Sequence, residues 1–339
     1  MPWIAATTGF GDGDVVSRLV LDDTSVPGVP GGIYHVGTCF WHDGLRFDVF
    51  AVRHHAANTA FGLALRGSFV YTGDTRPIPE VLEHYGTGAV LIAHDCGLVG
   101  NPSHTGLDDL AAAMGVPVDM HCDESDDPLS RHVETLAFHT QRLGLQGRVT
   151  GSHLTSMHSM DNYYVSKLIP LVREAGVAAI ANPLINITLQ GRHDTYPKRR
   201  GLTRVAELRA AGVTVAFGHD CVMDPWYSLG SGDMLEVAHM AVHVGQLTSL
   251  DAMAACFRSV TVEPARILGL EGYGIEPGCR ADLVVLEAGD AVEAIRLKAA
   301  RLFVLRAGRV VAQASPRVSR LDLPGRPPAV GFLHGANAG

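Results

Sequence analysis

The chain has 339 residues, 47% hydrophobic and 18% charged, which fits one large or two medium globular domains. Its formal net charge is −8 and its one dense basic cluster is at 198–200, which argues against nucleic-acid and membrane partners. No secretory signal is visible, no apolar run approaches the roughly 20 residues that cross a bilayer, and the six cysteines form no C-x-x-C pair. We therefore expect a cytoplasmic protein with reduced thiols.

The first third of the chain is predicted to be β-rich. Residues 1–35 contain many glycines and prolines and are predicted to be irregular. Across residues 36–112, the runs RFDVFAVRHH, FGLALRGSFVYTGDT and AVLIAHDC predict strands, with one helical stretch at PIPEVLEHYG. The pattern changes at residues 107–115, so we place a domain boundary at 112/113.

Residues 113–270 alternate between short apolar runs and helical segments. The runs VPVDMH, RVTGSH, VAAIANP and VTVAFGHD are each followed by an amphipathic stretch, the third after a polar loop. Four consecutive strand–helix units are typical of parallel βα folds, so the predicted fold class is α/β. Two more helices, LDAMAACFRSV and VEPARILGL, follow. Residues 271–339 then return to strands at ADLVVLE, RLFVLRAG and RVVAQ.

Each of the four predicted strands ends in polar residues. His121 and Glu124 follow the first strand, His153 the second, Asn182 the third and Asp220 the fourth. Because catalytic groups in βα barrels project from the carboxyl ends of the strands, we expect these side chains to converge. Imidazoles and a carboxylate can bind a hydrolytic metal, and a second carboxylic acid can transfer protons. The pattern predicts a metal-dependent hydrolase.

The strings HCDESDD, GSHLTSMHS, ANPLINITLQGRHDTYPKRRG and GHDCVMDPWY resemble cytosine deaminases of the amidohydrolase superfamily, over about residues 114–330. The resemblance implies the second half of a TIM-like (β/α) barrel and a C-terminal β-sandwich remnant. It also implies one divalent ion, Fe²⁺ or Zn²⁺, bound by His121 and Asp220. Glu124 would be the proton shuttle, His153 would stabilise the developing charge, and Asp220 would also act as general base.

The same resemblance concerns the substrate, a small nitrogen heterocycle. Trp226 matches an aromatic residue that borders the base pocket, and Cys221 stands where cytosine deaminases often have a second Asp. The substrate therefore stays open among cytosine and related cyclic amidines such as isocytosine and creatinine. Asn182, Asn186 and Gln190 either line this pocket or order a long loop.

One family motif is missing from the chain. The first barrel strand of the superfamily ends in an H-x-H pair of metal ligands, and this sequence contains no His-x-His. We therefore expect weak metal binding and impaired activity. The oligomeric state stays open, with a homo-oligomer among the options.

The N-terminal strings RHHAANTAFGLALRGSFVYTGDTRPIPEVL, AVLIAHDC and NPSHTGLDDL resemble a metallo-β-lactamase-fold hydrolase of the ribonuclease Z branch, over about residues 30–110. The resemblance implies a second metal site built from His54 or His55, Asp74 and His104, although the H-x-H-x-D-H signature is absent. Two partial metal folds thus look fused near residues 107–115. Two alternative functions follow: a metallo-β-lactamase-type hydrolase, or a catalytically inactive chain that serves as a structural partner.

Overall fold

A computed structural model describes most of the second half of the chain and parts of the first. The described residues are 18–21, 32–35, 39–42, 45–52, 60–65, 67–72, 84, 91–93, 96–97, 105–106, 117–224, 226–327 and 329–330. The chain forms two compact units, Met1–Val118 and Asp119–Gly339. This division lies a few residues after the boundary at 112/113 that the sequence predicts.

The first unit is built from strands. Its main sheet has five strands in the order β3-β4-β5-β6-β7, antiparallel except for the parallel pair of β6 with β7. The strands of this unit are β1 Arg18–Leu21, β2 Gly32–His35, β3 Cys39–His42, β4 Leu45–Val52, β5 Ala60–Leu65, β6 Phe69–Tyr71, β7 Leu91–Ala93, β8 Cys96–Gly97 and β9 Thr105–Gly106. The pair β1–β2 is antiparallel and the pair β8–β9 is parallel.

Strand β4 carries the buried part of the described first unit. Its Val49 and Val52 are almost fully buried, as are Ala64 on β5 and Val70 on β6. Phe50 lies opposite Gly62 on β5, and a Cβ atom at Gly62 would lie 2.3 Å from the Phe50 ring. The ring therefore occupies the space that a side chain at position 62 would need.

The second unit contains the parallel sheet that the sequence predicts. Its strands are β10 Val118–Cys122, β11 Val149–His153, β12 Ala178–Ala181 and β13 Val215–Phe217, in that spatial order. Strand β12 is parallel to both of its neighbours, β11 and β13. Consecutive strands joined by helices give this βα arrangement, with the carboxyl ends of the strands at one edge.

Helices connect and flank these strands. They are α1 His132–Arg142, α2 Asn162–Glu174, α3 Pro183–Leu189, α4 Val205–Ala210, α5 Met234–Val244, α6 Leu250–Ser259, α7 Val262–Ile267 and α8 Ala291–Leu297, with a 3-10 turn at Thr155–His158. Side-chain caps start several of them: Asp161 accepts a hydrogen bond from Tyr164 N, and Ser249 accepts one from Ala252 N. Within the described residues, no helix has both the length and the apolar character that a membrane span requires.

After α7 the chain forms an antiparallel sheet of three strands, β14 Leu283–Leu286, β15 Arg301–Arg306 and β16 Arg309–Gln313. A separate two-stranded pair follows, β17 Ser319–Arg320 with β18 Ala329–Val330. The sequence predicts the strands of β14 to β16. The described residues form one sheet and a strand pair here, and the predicted β-sandwich is not seen among them.

Two other expectations differ from the structure. The predicted irregular segment 1–35 contains the antiparallel strands β1 and β2. The predicted polar loop after β12 contains helix α3, whose sequence PLINITL includes β-branched residues that disfavour helices. Pro183 at the first helical position and the burial of Leu184 and Ile185 against the core outweigh that weak propensity.

Candidate active site

The backbone turns sharply where the parallel strands end. Asp123 after β10, His153 at the end of β11 and Asp220 after β13 have φ angles of 56°, 72° and 67°. This left-handed region costs a non-glycine residue about 1–3 kcal/mol unless its surroundings enforce it. Such conformations cluster at functional sites, and here they occur at the edge where the sequence places the chemistry.

Three potential metal ligands meet at this edge. His121, His153 and Asp220 each offer one ligand atom, and these atoms lie within 4.8 Å of one another. Nε2 of His153 is 3.1 Å from Nδ1 of His121 and 3.8 Å from Oδ1 of Asp220. Imidazole and carboxylate groups are donors that hydrolytic zinc sites use, so His121 and Asp220 fit a divalent ion, with His153 beside them.

Glu124 lies beside this group. Its Oε1 is 3.4 Å from Nδ1 of His153, and about a third of the side chain is exposed. Partial burial, and secondarily the negative charge of Asp220, raise the pKa of Glu124 above its ordinary value. A carboxylic acid that holds its proton closer to neutral pH is suited to general acid–base work.

His153 is the most buried member of the site, with a side chain that is 1% exposed. Burial lowers the pKa of His153 to about 4, although the nearby Asp220 carboxylate opposes this shift. The ring is therefore neutral at neutral pH. Two side-chain amides approach its Nδ1 atom: Asn182 Nδ2 at 3.2 Å and Asn186 Nδ2 at 3.1 Å.

The turn after β10 is anchored by Asp123, which is buried. Its Oδ1 accepts hydrogen bonds from His132 N and Ser130 Oγ, both at 2.9 Å. Its Oδ2 accepts one from Val133 N at 2.8 Å, so the carboxylate satisfies two N–H groups in the first turn of α1. This anchor fixes the backbone next to Glu124.

Asp119 is a further residue of the site that was not among the predicted ones. It lies two positions before His121 on β10, so both side chains point to the same face of the strand. Ser152 Oγ donates to both carboxylate oxygens of Asp119, at 2.8 and 3.0 Å, and Asp119 Oδ2 is 3.9 Å from His121 Nε2. The alternation in VDMH was the signal that could have revealed it.

The segment after β13 forms a second tight turn. His219 is buried and its Nδ1 is hydrogen-bonded to the carbonyl of Cys221 at 2.7 Å. Burial, together with the neighbouring Asp224 and Asp220 carboxylates, raises the pKa of the Cys221 thiol far above its ordinary value, so the thiol is neutral. Trp226 is about three-quarters exposed. The structure therefore places Cys221 next to Asp220 and leaves Trp226 on the surface.

A long loop between α3 and α4 is tied to the turns of the site. Asp126 accepts hydrogen bonds from Gly191 N at 2.8 Å and pairs with His158 Nε2 at 2.8 Å. Arg199 donates to the Asp126 carbonyl at 3.0 Å and forms an ion pair with Asp194 at 2.7 Å. These contacts connect the loop to the segments that follow β10 and β11.

The second predicted metal site lies outside the described residues. This applies to each of its four candidate ligands, His54, His55, Asp74 and His104. Among the described residues, the candidate metal-binding group is the one in the second unit.

The family model for the amidohydrolase family matches residues 107–312, more than half of the chain. The chain belongs to the amidohydrolase family. A pterin deaminase from Rhizobium rhizogenes is 37% identical over 215 residues, which is 62% of this chain and 48% of that protein. This amidohydrolase chain thus spans about half the length of the curated relatives it matches.

Solved structures agree with the family assignment. A 5-methylcytosine deaminase from Klebsiella pneumoniae, crystallised with 5-fluorocytosine, is 42% identical with a TM-score of 0.61, over 64% of this chain and 52% of that chain. An N-isopropylammelide isopropylaminohydrolase from Burkholderia multivorans is 30% identical with a TM-score of 0.53, over 61% and 50% respectively. The predicted amidohydrolase fold of the second unit is confirmed.

The N-terminal segment matches a family other than the predicted one. The family model that matches residues 32–121 is that of the Anti-Pycsar protein Apyc1. The predicted likeness to a metallo-β-lactamase-fold or ribonuclease Z fragment gains no support from this match. The β-rich character predicted for this segment does agree with the strands described in it.

Proposed function

We propose that the second unit is a metal-dependent deaminase that hydrolyses the exocyclic C–N bond of a small ring amidine. One observation carries the proposal: ligand atoms of His121, His153 and Asp220 lie within 4.8 Å of one another, with Glu124 alongside. The names of two relatives, a pterin deaminase and a 5-methylcytosine deaminase, support the same reaction class. In both pterin and 5-methylcytosine the amino group is bonded to a ring carbon that has a ring nitrogen as a direct neighbour.

The reaction converts a ring carbon bearing an amino group, plus water, into a carbonyl and ammonia. A divalent ion held by His121 and Asp220 would supply a water molecule that ionises near neutral pH. Asp220, with its side chain mostly buried at the strand end, accepts the proton of the attacking water. The neutral His153 ring offers a polar hydrogen to the oxygen that develops negative charge.

Glu124 completes the proton transfers. Its raised pKa lets the protonated carboxyl group protonate the ring nitrogen next to the attacked carbon. One proton of the water then passes to the amino nitrogen, which leaves as ammonia, and the other returns to Glu124 as the carbonyl forms. The proposed substrates are cytosine, 5-methylcytosine, isocytosine, creatinine and pterin, and Cys221 next to Asp220 belongs to the edge that selects among them.

The test is ammonia release from these five compounds by the full chain supplied with Zn²⁺ or Fe²⁺. We expect turnover of at least one of them. Glu124→Gln should keep the metal and lower turnover about 10²–10⁴-fold, because an amide cannot shuttle protons. Glu174→Gln, at the exposed end of α2, is the matched control and should leave turnover unchanged. Unchanged rates in Glu124→Gln would refute the proton-shuttle role.

Metal content tests the ligand roles separately. His121→Asn should lower the zinc retained after gel filtration, whereas His139→Asn on α1 should not. Because the chain contains no H-x-H pair, we expect zinc binding weaker than a complete three-ligand site provides. Equal retention by the two variants would remove His121 from the ligand set.

A further inference from the structure

Two buried asparagines lie against the ring of His153. Asn182 follows β12 and is 3% exposed, and Asn186 lies in α3 and is fully buried. Their Nδ2 atoms are 3.2 and 3.1 Å from Nδ1 of His153. Buried amide groups need hydrogen-bond partners, so these contacts have an energetic role in the core. They also determine whether the other ring nitrogen, Nε2, carries the proton of the neutral imidazole.

The orientation of the Asn186 amide is set by the backbone. Its Oδ1 accepts a hydrogen bond from the backbone N–H of Asn182 at 3.3 Å, a partner that can only donate. The amide oxygen is therefore turned toward α3 and the NH₂ group toward His153. Asn182 Oδ1 packs where Gly218 has no side chain, since a Cβ there would lie 2.3 Å away, and Asn182 Nδ2 lies on the His153 side.

An NH₂ group can only donate, so Nδ1 of a neutral His153 ring must accept. The ring proton then sits on Nε2, the atom that is 3.1 Å from His121 Nδ1 and 3.8 Å from Asp220 Oδ1. Glu124 Oε1, at 3.4 Å from Nδ1, is farther than either amide nitrogen. The amides therefore determine which nitrogen carries the proton.

We propose that Asn186, assisted by Asn182, is a positioning residue that holds His153 in the Nε2–H form. His153 then faces the His121–Asp220 pair as a hydrogen-bond donor, and it has no free lone pair there to act as a third metal ligand. The tautomer is a property of the folded chain alone. Its catalytic consequence rests on the deaminase function proposed above.

The direct test is ¹⁵N NMR of the metal-free full chain labelled at histidine. Two-bond couplings distinguish the protonated from the unprotonated ring nitrogen, and comparison with His153→Asn assigns the signals. We expect His153 to carry its proton on Nε2. A proton on Nδ1 in the unsubstituted protein would overturn the proposal whatever the activity is. The Nε2–H form without any deamination would instead refute only the proposed function.

Asn186→Asp replaces the NH₂ group that donates to His153 with an oxygen that accepts, and the side chain keeps its shape. A carboxylate accepts from Nδ1–H, so the proton should move to Nδ1 and the NMR signature should invert. Turnover should fall by up to about 10⁴-fold, the loss seen when a catalytic histidine is held in the wrong tautomer. Zinc retention should not fall, because Nε2 then gains a lone pair that faces the ligands.

Asn162→Asp, at the exposed start of α2, is the control for adding a carboxylate and should leave both the tautomer and the turnover unchanged. If Asn186→Asp does not fold, Asn182→Asp provides the same readout from the second amide. An Asn186→Asp protein that is folded, with the Nε2–H signal and full turnover, would contradict the positioning role.

Discussion

The carboxylate of Asp123 should contribute measurably to the stability of the second unit. It accepts hydrogen bonds from His132 N, Val133 N and Ser130 Oγ. In Asp123→Asn one of the two oxygens becomes a donor, so one helix N–H loses its acceptor. Asn tolerates the left-handed conformation at φ 56° about as well as Asp, so the backbone preference is retained. A hydrogen bond to a buried charge is worth about 1.5–3 kcal/mol.

We therefore expect Asp123→Asn to lower the free energy of unfolding by about 2–3 kcal/mol. For a unit of this size each kcal/mol shifts the melting temperature by roughly 2–4 °C, so the shift should be about 4–12 °C by circular dichroism. Asp127→Asn is the control: its Oδ1 accepts one local bond from Leu129 N in an exposed turn, and it should change stability by less than about 0.5 kcal/mol. Equal melting temperatures for the two variants would refute the argument.

Three other outcomes follow from the site. Burial lowers the pKa of His153 from 6.5 to about 4, so the free energy of unfolding should fall as the pH drops from about 6.5 to about 4. Urea denaturation at several pH values should show a smaller fall in His153→Asn. Gly218→Ala should lower the melting temperature, because its Cβ would lie 2.3 Å from Asn182 Oδ1; an unchanged melting curve would contradict this. Cys221→Asp should raise the ratio of cytosine to creatinine turnover, measured as ammonia release; an unchanged ratio would count against Cys221 as a selectivity residue.

The alternation of strands and helices in the second unit could be predicted from the sequence for a physical reason. Runs such as RVTGSH are short, apolar and followed by amphipathic segments, which leaves few arrangements other than parallel βα units. Once the strands are parallel, their carboxyl ends share one edge. The approach of His121, His153 and Asp220 follows from that geometry together with their position at the strand ends.

The details that orient these side chains could not be predicted in the same way. Helix α3 has a sequence of weak helical propensity, and only its packing in the folded chain turns Asn186 toward His153. The alternation in VDMH places Asp119 on the face of His121, but a single carboxylate in an apolar strand does not by itself indicate a role in the site. The relation of Asp119 to Ser152 joins residues 33 positions apart in the sequence, and tertiary contacts of that kind leave no local pattern.

The turns of the site are held by bonds between one strand end and the next. Thr155 Oγ1 and Ser156 N, just after β11, both donate to the Asp123 carbonyl at 2.9 Å, and so connect the β11 turn to the β10 turn. Gly218 N, just after β13, donates to the Ala181 carbonyl at 3.0 Å and connects β13 to β12. These contacts lie within the second unit and offset the left-handed conformations at the strand ends. A substitution that loosens the β11 turn should therefore disturb the β10 turn, and one that loosens the β13 end should disturb the end of β12, because these pairs are hydrogen-bonded.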